Sequence, residues 1–384
     1  MITLIELLLF WSIFDIPYIL YRTIFYFSYK RKIKSLNKPF VSILVPAYNE
    51  ELSVETTLLS CVNQTYPNYE IIVINDGSKD ETPQIVDRFI EDYRLHNVKL
   101  INQKNQGKAK ALNKGLFHSR GKFVITVDAD SKLHHRAIEL IMAKFTNNKI
   151  GAVAGNVVAI SHKKLLSDIQ KLEYEISTHF LRESQSVIGS VTITPGAFSA
   201  YRKKALKKFE EGTLTEDFDS SLKVLEEGSE IVIAADALCY TQVPLNYTDI
   251  IKQRIRWQQG GLEVFSKHLF HEKRFFVSLE MFLIFFFGFY GLFPKILTFM
   301  IIPITLFSSD ISSYLQGFGL FFIYFSCIWL IKLLIIGEKK LKMYAIVPVF
   351  IVYWYTLILY SILAAQIIVF NKDKKWGTLK RYRI

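Results

Sequence analysis

The architecture follows from Phe123-Val124-Ile125-Thr126-Val127-Asp128-Ala129-Asp130, a short apolar run that ends in two carboxylates. An unbroken run of apolar and β-branched residues predicts a strand that is buried on both faces, as in a parallel sheet. Carboxylates directly after such a strand lie at its carboxyl end, where open α/β sheets bind ligands. The stretch therefore predicts a central strand that delivers Asp128 and Asp130 to a binding site.

The chain before this stretch repeats the same arrangement. Short apolar runs alternate with segments of helical spacing, and polar loops separate them. Strands that alternate with helices predict an α/β fold, with a Rossmann-like, mostly parallel sheet and helices on both faces. The predicted strands cover 41–46, 70–74 and 98–102, and the predicted helices cover 51–63, 80–95 and 107–118.

Beyond these segments the pattern is less regular. Residues 163–187 have helical spacing, and 191–201 read as a strand with a turn at Pro195-Gly196-Ala197. A helix is predicted to begin after Thr215, because threonine is a favourable N-cap residue. Asp217 would then lie in the first turn, where a carboxylate complements the helix dipole.

Composition divides the chain of 384 residues into a mixed middle and apolar ends. Hydrophobic residues make up 51%, and they concentrate at 2–27, 276–307, 317–335 and 344–370. Runs of this length are typical of transmembrane helices. The formal net charge is +12, and much of it lies beside the apolar runs, as in positive-inside anchoring at anionic lipid. We therefore expect the lipid bilayer, and no nucleic acid, as a partner.

The basic clusters determine the expected topology. Lys30-Arg31-Lys32 follows the first apolar run, so the N-terminus is expected outside and the central domain in the cytoplasm of a multi-pass protein of the cell membrane. The number of C-terminal passes stays open, because three passes leave the basic tail outside and four leave Lys339-Lys340 outside. The predicted segments are an N-terminal transmembrane helix at 1–29, a cytoplasmic domain at 38–257, an amphipathic interfacial helix at 258–275, a membrane region of three or four passes at 276–371, and a basic tail at 372–384.

Several residues carry groups that suit a divalent cation, a phosphate or a sugar ring. Carboxylates at a strand end suit a hard divalent cation, so Asp128 and Asp130 are predicted to bind Mg²⁺ or Mn²⁺ together with a diphosphate. Lys108 follows Gly107 at a predicted helix start, where backbone N–H groups favour a phosphate. The stretch Gln253-Arg254-Ile255-Arg256-Trp257 combines guanidinium groups, which bind phosphate, with an indole face, which offers a platform for a sugar.

Four motifs follow one another along the chain: Asn75-Asp76-Gly77-Ser78, Asp128-Ala129-Asp130, Thr215-Glu216-Asp217 and the stretch at 253–257. This ordered set resembles the processive family 2 glycosyltransferases of the GT-A fold. These are membrane enzymes that build polysaccharides from nucleotide sugars. The resemblance covers roughly residues 40–262.

The resemblance implies a role for each candidate residue. The loop after the first strand and the acid after the second would contact uracil, and the two strand-end aspartates would bind the metal. Asp217 would act as the general base, oriented by Glu216. The other implied residues are Pro46, Tyr48, Glu50, Asp76, Lys108 and Asp128 for the nucleotide, Asp128 and Asp130 for the metal, and Gln253, Arg254, Arg256, Trp257, Gly196 and Phe198 for the diphosphate and the acceptor.

These roles imply an inverting, metal-dependent, processive β-glycosyltransferase that polymerises a sugar from a UDP-sugar donor and extrudes the polysaccharide. Residues 214–219 and 256–261 look most like the poly-β-1,6-N-acetylglucosamine synthases, so N-acetylglucosamine is the expected sugar. The implied partners are a UDP-sugar, the growing polysaccharide and a small accessory membrane subunit. Two alternatives stay open: a single addition to a lipid-linked acceptor, and an inactive membrane subunit that binds a nucleotide.

Overall fold

The computed structural model describes residues 4–29, 38–160, 162, 164–268, 274–290 and 311–371. Within these ranges, eight strands form a single sheet. The strands are β1 (Val41–Ala47), β2 (Tyr69–Asn75), β3 (Val98–Asn102), β4 (Phe123–Val127), β5 (Ser131–Leu133), β6 (Ile150–Ala159), β7 (Phe198–Arg202) and β8 (Glu230–Thr241).

The sheet is mixed but mostly parallel, with the strand order β3-β2-β1-β4-β7-β6-β8-β5. Strands β1 to β4 pair in parallel, as the sequence predicts, and their bounds agree with the predicted ones to within one residue. Strand β7 runs antiparallel to both β4 and β6, and β5 runs antiparallel to β8. The carboxyl ends of β1, β2 and β4 therefore meet at one edge, next to the turn before β7.

Helices cover both faces of the sheet because alternate strand residues pack on opposite sides. In β1, Ile43 and Val45 belong to one buried cluster, whereas Leu44 belongs to another. This double burial explains the unbroken apolar runs of the parallel strands. The helices are α1 (Leu4–Ser28), α2 (Val54–Val62), α3 (Thr82–Asp92), α4 (Lys108–His118), α5 (Ala137–Met142), α6 (Leu165–Glu175), α7 (Glu183–Val187), α8 (Lys203–Leu206), α9 (Glu216–Glu226), α10 (Tyr247–His268), α11 (Phe275–Ile284), α12 (Ile311–Ile336) and α13 (Leu341–Asn371).

The predicted helical segment at 163–187 is a continuous helix with a change of pitch. Helix α6 passes into a π-helical turn at Ile176–Arg182, which then passes into α7. Single π-helical turns inside α-helices occur frequently at functional sites, because they redirect side chains along one face.

Helix α10 spans the domain boundary predicted from the sequence between 257 and 258. Residues 258–268, predicted to lie in a separate interfacial helix, form the second half of this continuous helix. Val264 and Phe265 are buried in the same cluster as residues of α9. This half of α10 therefore packs on the domain, and residues 269–273 lie outside the described ranges.

Two described helical segments are long and apolar enough to cross a membrane, Leu8–Ser28 and Phe318–Ile336. Shorter apolar helices cover Phe275–Phe287 and Leu341–Leu357. The number of passes depends also on 291–310, outside the described residues. The basic clusters at 30–34 and 372–384 lie outside them as well.

A buried ion pair joins the first apolar helix to the rest of the protein. Arg22 of α1 lies 2.6 Å from Oε2 of Glu280 in α11, and both side chains are fully buried. Gln185 of α7 donates a hydrogen bond to the same oxygen at 2.9 Å. Because an unpaired buried charge is strongly destabilising, this pair holds α1, α7 and α11 in a defined arrangement.

Candidate active site

A cavity of about 580 Å³ opens at the carboxyl ends of β1 and β4. Its wall includes the start of α4, the first turn of α9 and one face of α10. Nearly every site residue predicted from the sequence lines this cavity, although these residues come from widely separated parts of the chain. The predicted residues in the wall are Pro46, Tyr48, Glu50, Asp76, Lys108, Asp128, Asp130, Gly196, Glu216, Asp217, Gln253, Arg254, Arg256 and Trp257.

Phe198 is the predicted site residue that the cavity does not include. Its side chain is fully buried in the core of the sheet, where a Cβ at Gly155 would collide with its ring. The predicted acceptor wall is therefore corrected at this position. Phe198, the first residue of β7, packs in the core, while Gly196 in the preceding turn lines the cavity.

The nucleotide side of the cavity is built from loops that bind one another. Asp76 accepts hydrogen bonds from Nε2 of Gln103 at 2.7 Å and from the backbone N–H groups of Gln106 and Gly107 at 2.9 and 2.8 Å. In the β1 loop, the backbone N–H of Asn49 donates to Oγ of Ser78 at 3.0 Å. The acid after β2 thus holds the loop before α4, which positions the start of that helix.

Lys108 lies among three carboxylates at the centre of the cavity. Its Nζ is 2.6 Å from Oδ1 of Asp128 and 3.2 Å from Oε1 of Glu216. Burial alone would lower the pKa of Lys108, but the charges of Asp128, Glu216 and Asp217 outweigh it and raise that pKa. Burial raises the pKa of Glu216, as do the neighbouring charges of Asp217 and Asp128, while Lys108 opposes them.

The donor set fits a divalent cation that is shared with a phosphate. Asp128 and Asp130 line the same cavity, and Asp130 is only 7% exposed. No group of three or more His, Cys, Asp or Glu residues in the described part of the chain could hold an ion by itself. Because Mg²⁺ commonly takes one or two carboxylates and completes its shell with substrate phosphates, two aspartates match that chemistry.

Asp217 is held at the cavity wall by backbone groups. Its Oδ2 accepts a hydrogen bond from the N–H of Gly196 at 2.9 Å, and its Oδ1 accepts one from the N–H of Phe218 at 2.9 Å. Thr215 stands at the N-cap position of α9, as predicted, although its side chain makes no capping hydrogen bond. The carboxylate therefore has a defined orientation in the first turn of the helix.

Arg254, predicted to contact the diphosphate, is paired with a carboxylate of another helix. Both of its terminal nitrogens bind Glu173 of α6, with Nη2 at 2.6 Å from Oε2. Its guanidinium also lies over the ring of Trp257, 4.4 Å from the centroid. Burial raises the pKa of Glu173, and Arg254 partly offsets that effect. In this arrangement Arg254 joins α10 to α6 and supports the ring of Trp257.

Four cavity residues on the continuous helix formed by α6 and the π-helical turn have no counterpart in the sequence prediction: Glu173, Tyr174, Ser177 and Arg182. Burial lowers the pKa of Arg182, although the charges of Tyr174 and Asp217 oppose it. The helical spacing of 163–187 predicts the helix, but it does not show which face meets a cavity. The π-helical turn, which redirects that face, has no signal in the sequence.

Comparison with known proteins identifies the family. Residues 42–209 match the family described as glycosyl transferase family 2. A poly-beta-1,6-N-acetyl-D-glucosamine synthase from Staphylococcus aureus strain COL is 33% identical over 292 residues, which cover 72% of this chain and 70% of that relative. The chain belongs to glycosyltransferase family 2.

Other similarities support the family and the fold. The synthase of the same description from Staphylococcus epidermidis is 35% identical over 271 residues, and this chain spans 65% of its length. Among solved structures, a mannosyltransferase from Pyrobaculum calidifontis in complex with GDP-Man and Mn²⁺ has a TM-score of 0.64 at 19% identity. That match covers 97% of this chain and 100% of the mannosyltransferase, and it shows that the family 2 chain has the same GT-A type of fold.

Proposed function

We propose that this family 2 glycosyltransferase is an inverting, metal-dependent enzyme that polymerises N-acetylglucosamine from UDP-N-acetylglucosamine. The observation that carries the proposal is one cavity that holds Lys108, the Asp128–Asp130 pair and Asp217. The sugar is taken from the names of the relatives at 33–35% identity. The linkage in those names, β-1,6, is proposed for this chain as well.

On the donor side, the loops after β1 and β2 would hold the uracil, with Tyr48, Glu50 and Asp76 in the wall. Lys108 at the start of α4 would meet the diphosphate, where an ammonium group and helix N–H groups both favour a phosphate. Asp128 and Asp130 would hold Mg²⁺ or Mn²⁺. When bound, the cation neutralises charge that develops on the leaving diphosphate.

On the acceptor side, Asp217 would accept the proton of the acceptor hydroxyl. The hydroxyl oxygen forms the new bond to the anomeric carbon as the bond to the diphosphate breaks, and UDP leaves with the electron pair. Such general-base assistance contributes ~10²–10⁴ in rate. Because one displacement inverts the anomeric centre, an α-linked donor gives a β-linked product.

Processive synthesis at a membrane is the finer part of the proposal. Trp354 of the apolar helix α13 lines the same cavity as Asp217, and α10 packs along α13. A sugar chain that leaves the acceptor site would thus meet apolar helices, and a polar chain crosses hydrocarbon only along a protein-lined path. We infer a multi-pass protein of the cell membrane with a cytoplasmic catalytic domain, which extrudes its product and works with a small accessory membrane subunit.

The test uses detergent-purified protein, Mg²⁺ or Mn²⁺, and a panel of labelled UDP-sugars, with the product sized on a gel. The proposal predicts high-molecular-weight polymer from UDP-N-acetylglucosamine alone and none when the metal is chelated. Transfer of one sugar to lipid would replace the polymerase by a single-addition transferase. UDP binding without turnover of any donor would favour an inactive membrane subunit.

A further inference from the structure

A buried histidine joins the helix of the base to the helix of the acceptor platform. Nε2 of His268, at the end of α10, lies 2.7 Å from Oδ1 of Asp219, and Nδ1 lies 2.6 Å from Oε1 of Glu226. Both carboxylates belong to α9. His268 is 2% exposed and Asp219 is fully buried. The two helices therefore meet through an ion bridge that is shielded from water.

The bridge requires a protonated imidazole. A neutral imidazole has one N–H, so only the imidazolium can donate to both carboxylates at once. Burial alone would lower the pKa of His268, but the hydrogen bonds to Asp219 and Glu226 and their charges raise it. The same bonds lower the pKa of Asp219 against the effect of burial.

Neighbouring charges complete the cluster. Lys267 lies 3.0 Å from both carboxylate oxygens of Asp219 and 2.9 Å from Oε2 of Glu210. Lys223 lies 3.4 Å from Oε2 of Glu226. Three cations thus face three carboxylates, so the protonated cluster carries no net charge. Loss of the histidine proton leaves an excess negative charge next to a fully buried aspartate.

The same two helices touch closely near the catalytic end. A Cβ at Gly260 would lie 2.6 Å from both Cγ2 and Oγ1 of Thr215, the residue before the first turn of α9. Farther along, the rings of Phe218 and Phe265 meet edge to face at 5.5 Å. Asp217 therefore lies between the close helix contact and the ion bridge, and Trp257 lies one turn before Gly260.

We propose that His268 is a positioning residue that fixes α10 against α9, so that the acceptor sugar on Trp257 stands at the correct distance from Asp217. The inference rests on the proposed function, because it assigns an acceptor to α10. His268 itself is not among the residues that line the cavity. It acts through the spacing of two helices that carry the reacting groups.

The positioning role should affect two reactions of the donor differently: transfer to a sugar hydroxyl and hydrolysis by water. Water reaches the donor without a platform, whereas a sugar hydroxyl must be held in place by α10. Loosening the bridge should therefore lower transfer to sugar more than transfer to water. The readout is the amount of UDP released for each sugar incorporated, which a mere loss of folded protein would not change.

The first variant is His268→Gln, with His96→Gln at an exposed position as the matched control. We expect incorporation to fall ~10- to 100-fold, the scale of an about 1 Å misplacement, while UDP binding is retained. In the wild type, the amount of UDP released for each sugar incorporated should rise as the pH passes upward through the pKa of His268. In His268→Gln, this ratio should not change over the same pH range. If His268→Gln does not fold, Glu226→Gln, which removes one half of the bridge, is expected to act in the same direction.

Helix spacing is measured independently of activity by spin labels at Glu227, after α9, and Lys252 in α10, in a Cys327→Ser background. We expect one narrow distance distribution in the wild type and a broader one in His268→Gln. If the wild type turns over no donor but the distances still broaden in His268→Gln, the proposed function is refuted, whereas the role of the ion bridge in helix spacing is supported. Unchanged distances together with an unchanged UDP-to-sugar ratio would overturn the positioning role.

Discussion

The ammonium group of Lys108 lies 2.6 Å from Oδ1 of Asp128, at the strand end that the proposed metal would occupy. It also lies 3.2 Å from Glu216, beside the proposed base. The ammonium group of Lys108 thus links the donor side of the cavity to Glu216 and Asp217, the proposed catalytic pair. The proposed function would have Lys108 exchange its carboxylate partner for a phosphate oxygen of the donor.

Replacement of Lys108 by methionine keeps most of the apolar stem but removes the charge. We expect UDP affinity to fall by ~10- to 100-fold, because a hydrogen bond to a charged group contributes ~1.5–3 kcal/mol. Titration of the purified protein with UDP and Mn²⁺ measures the change. Lys110→Met, at an exposed position of the same helix, is the matched control and should bind like the wild type.

The Glu173–Arg254 pair makes a prediction about stability. Glu173→Gln leaves Arg254 with an uncompensated buried charge and should cost about 3–5 kcal/mol in the free energy of unfolding. In thermal unfolding experiments in detergent, this loss of stability should appear as a lower Tm of Glu173→Gln. The double variant Glu173→Gln with Arg254→Met should recover a large part of the loss, because neither charge then remains buried. A double variant less stable than Glu173→Gln would contradict the pairing.

The contact between Gly260 and Thr215 predicts a steric effect. Gly260→Ala places a methyl group 2.6 Å from the threonine side chain and should destabilise the protein by ~1–3 kcal/mol. Thr215→Ala in the same chain should restore stability, since the threonine makes no capping hydrogen bond. Gly319→Ala, where a Cβ meets open space, is the control. Melting curves of the wild type, Gly260→Ala, the double variant with Thr215→Ala, and Gly319→Ala measure these differences in stability.

His179 in the π-helical turn predicts a pH dependence. Its Nδ1 lies 2.7 Å from Glu183 and its Nε2 lies 3.3 Å from Glu175. Burial alone would lower the pKa of His179, but the two carboxylates raise it to about 9. A raised histidine pKa contributes stability that is complete below its unfolded value and is lost as the pH rises toward about 9.

The measurement is Tm between neutral and alkaline pH for the wild type and His179→Gln. We expect the variant to be less stable at neutral pH and to lose less stability on the way to alkaline pH. His118→Gln, at an exposed helix end, serves as the control. Parallel curves for the wild type and His179→Gln would show that the two carboxylates do not bind the imidazolium.

The first half of the fold could be predicted because its information is local. The runs that form β1 to β4 are apolar on both faces, and the carboxyl ends of parallel strands must meet at one edge, so Asp76 and Asp128 were expected together. The bridge between Glu173 and Arg254 joins positions 81 residues apart, and helical spacing does not reveal it. The burial of Phe198 depends on which face of β7 meets the core, which one sequence does not specify.

The central claim is that Asp217 performs the transfer in a cavity that also binds the donor. The most direct measurement compares the wild type with Asp217→Asn, for polymer formed from UDP-N-acetylglucosamine and for UDP affinity. Asparagine keeps one side-chain oxygen, which can still accept the hydrogen bond from the N–H of Gly196, although the bond from the N–H of Phe218 is lost. We predict that polymer formation falls by ~10²–10⁴ while UDP affinity is unchanged. Polymer formation by Asp217→Asn at the wild-type rate would contradict the account.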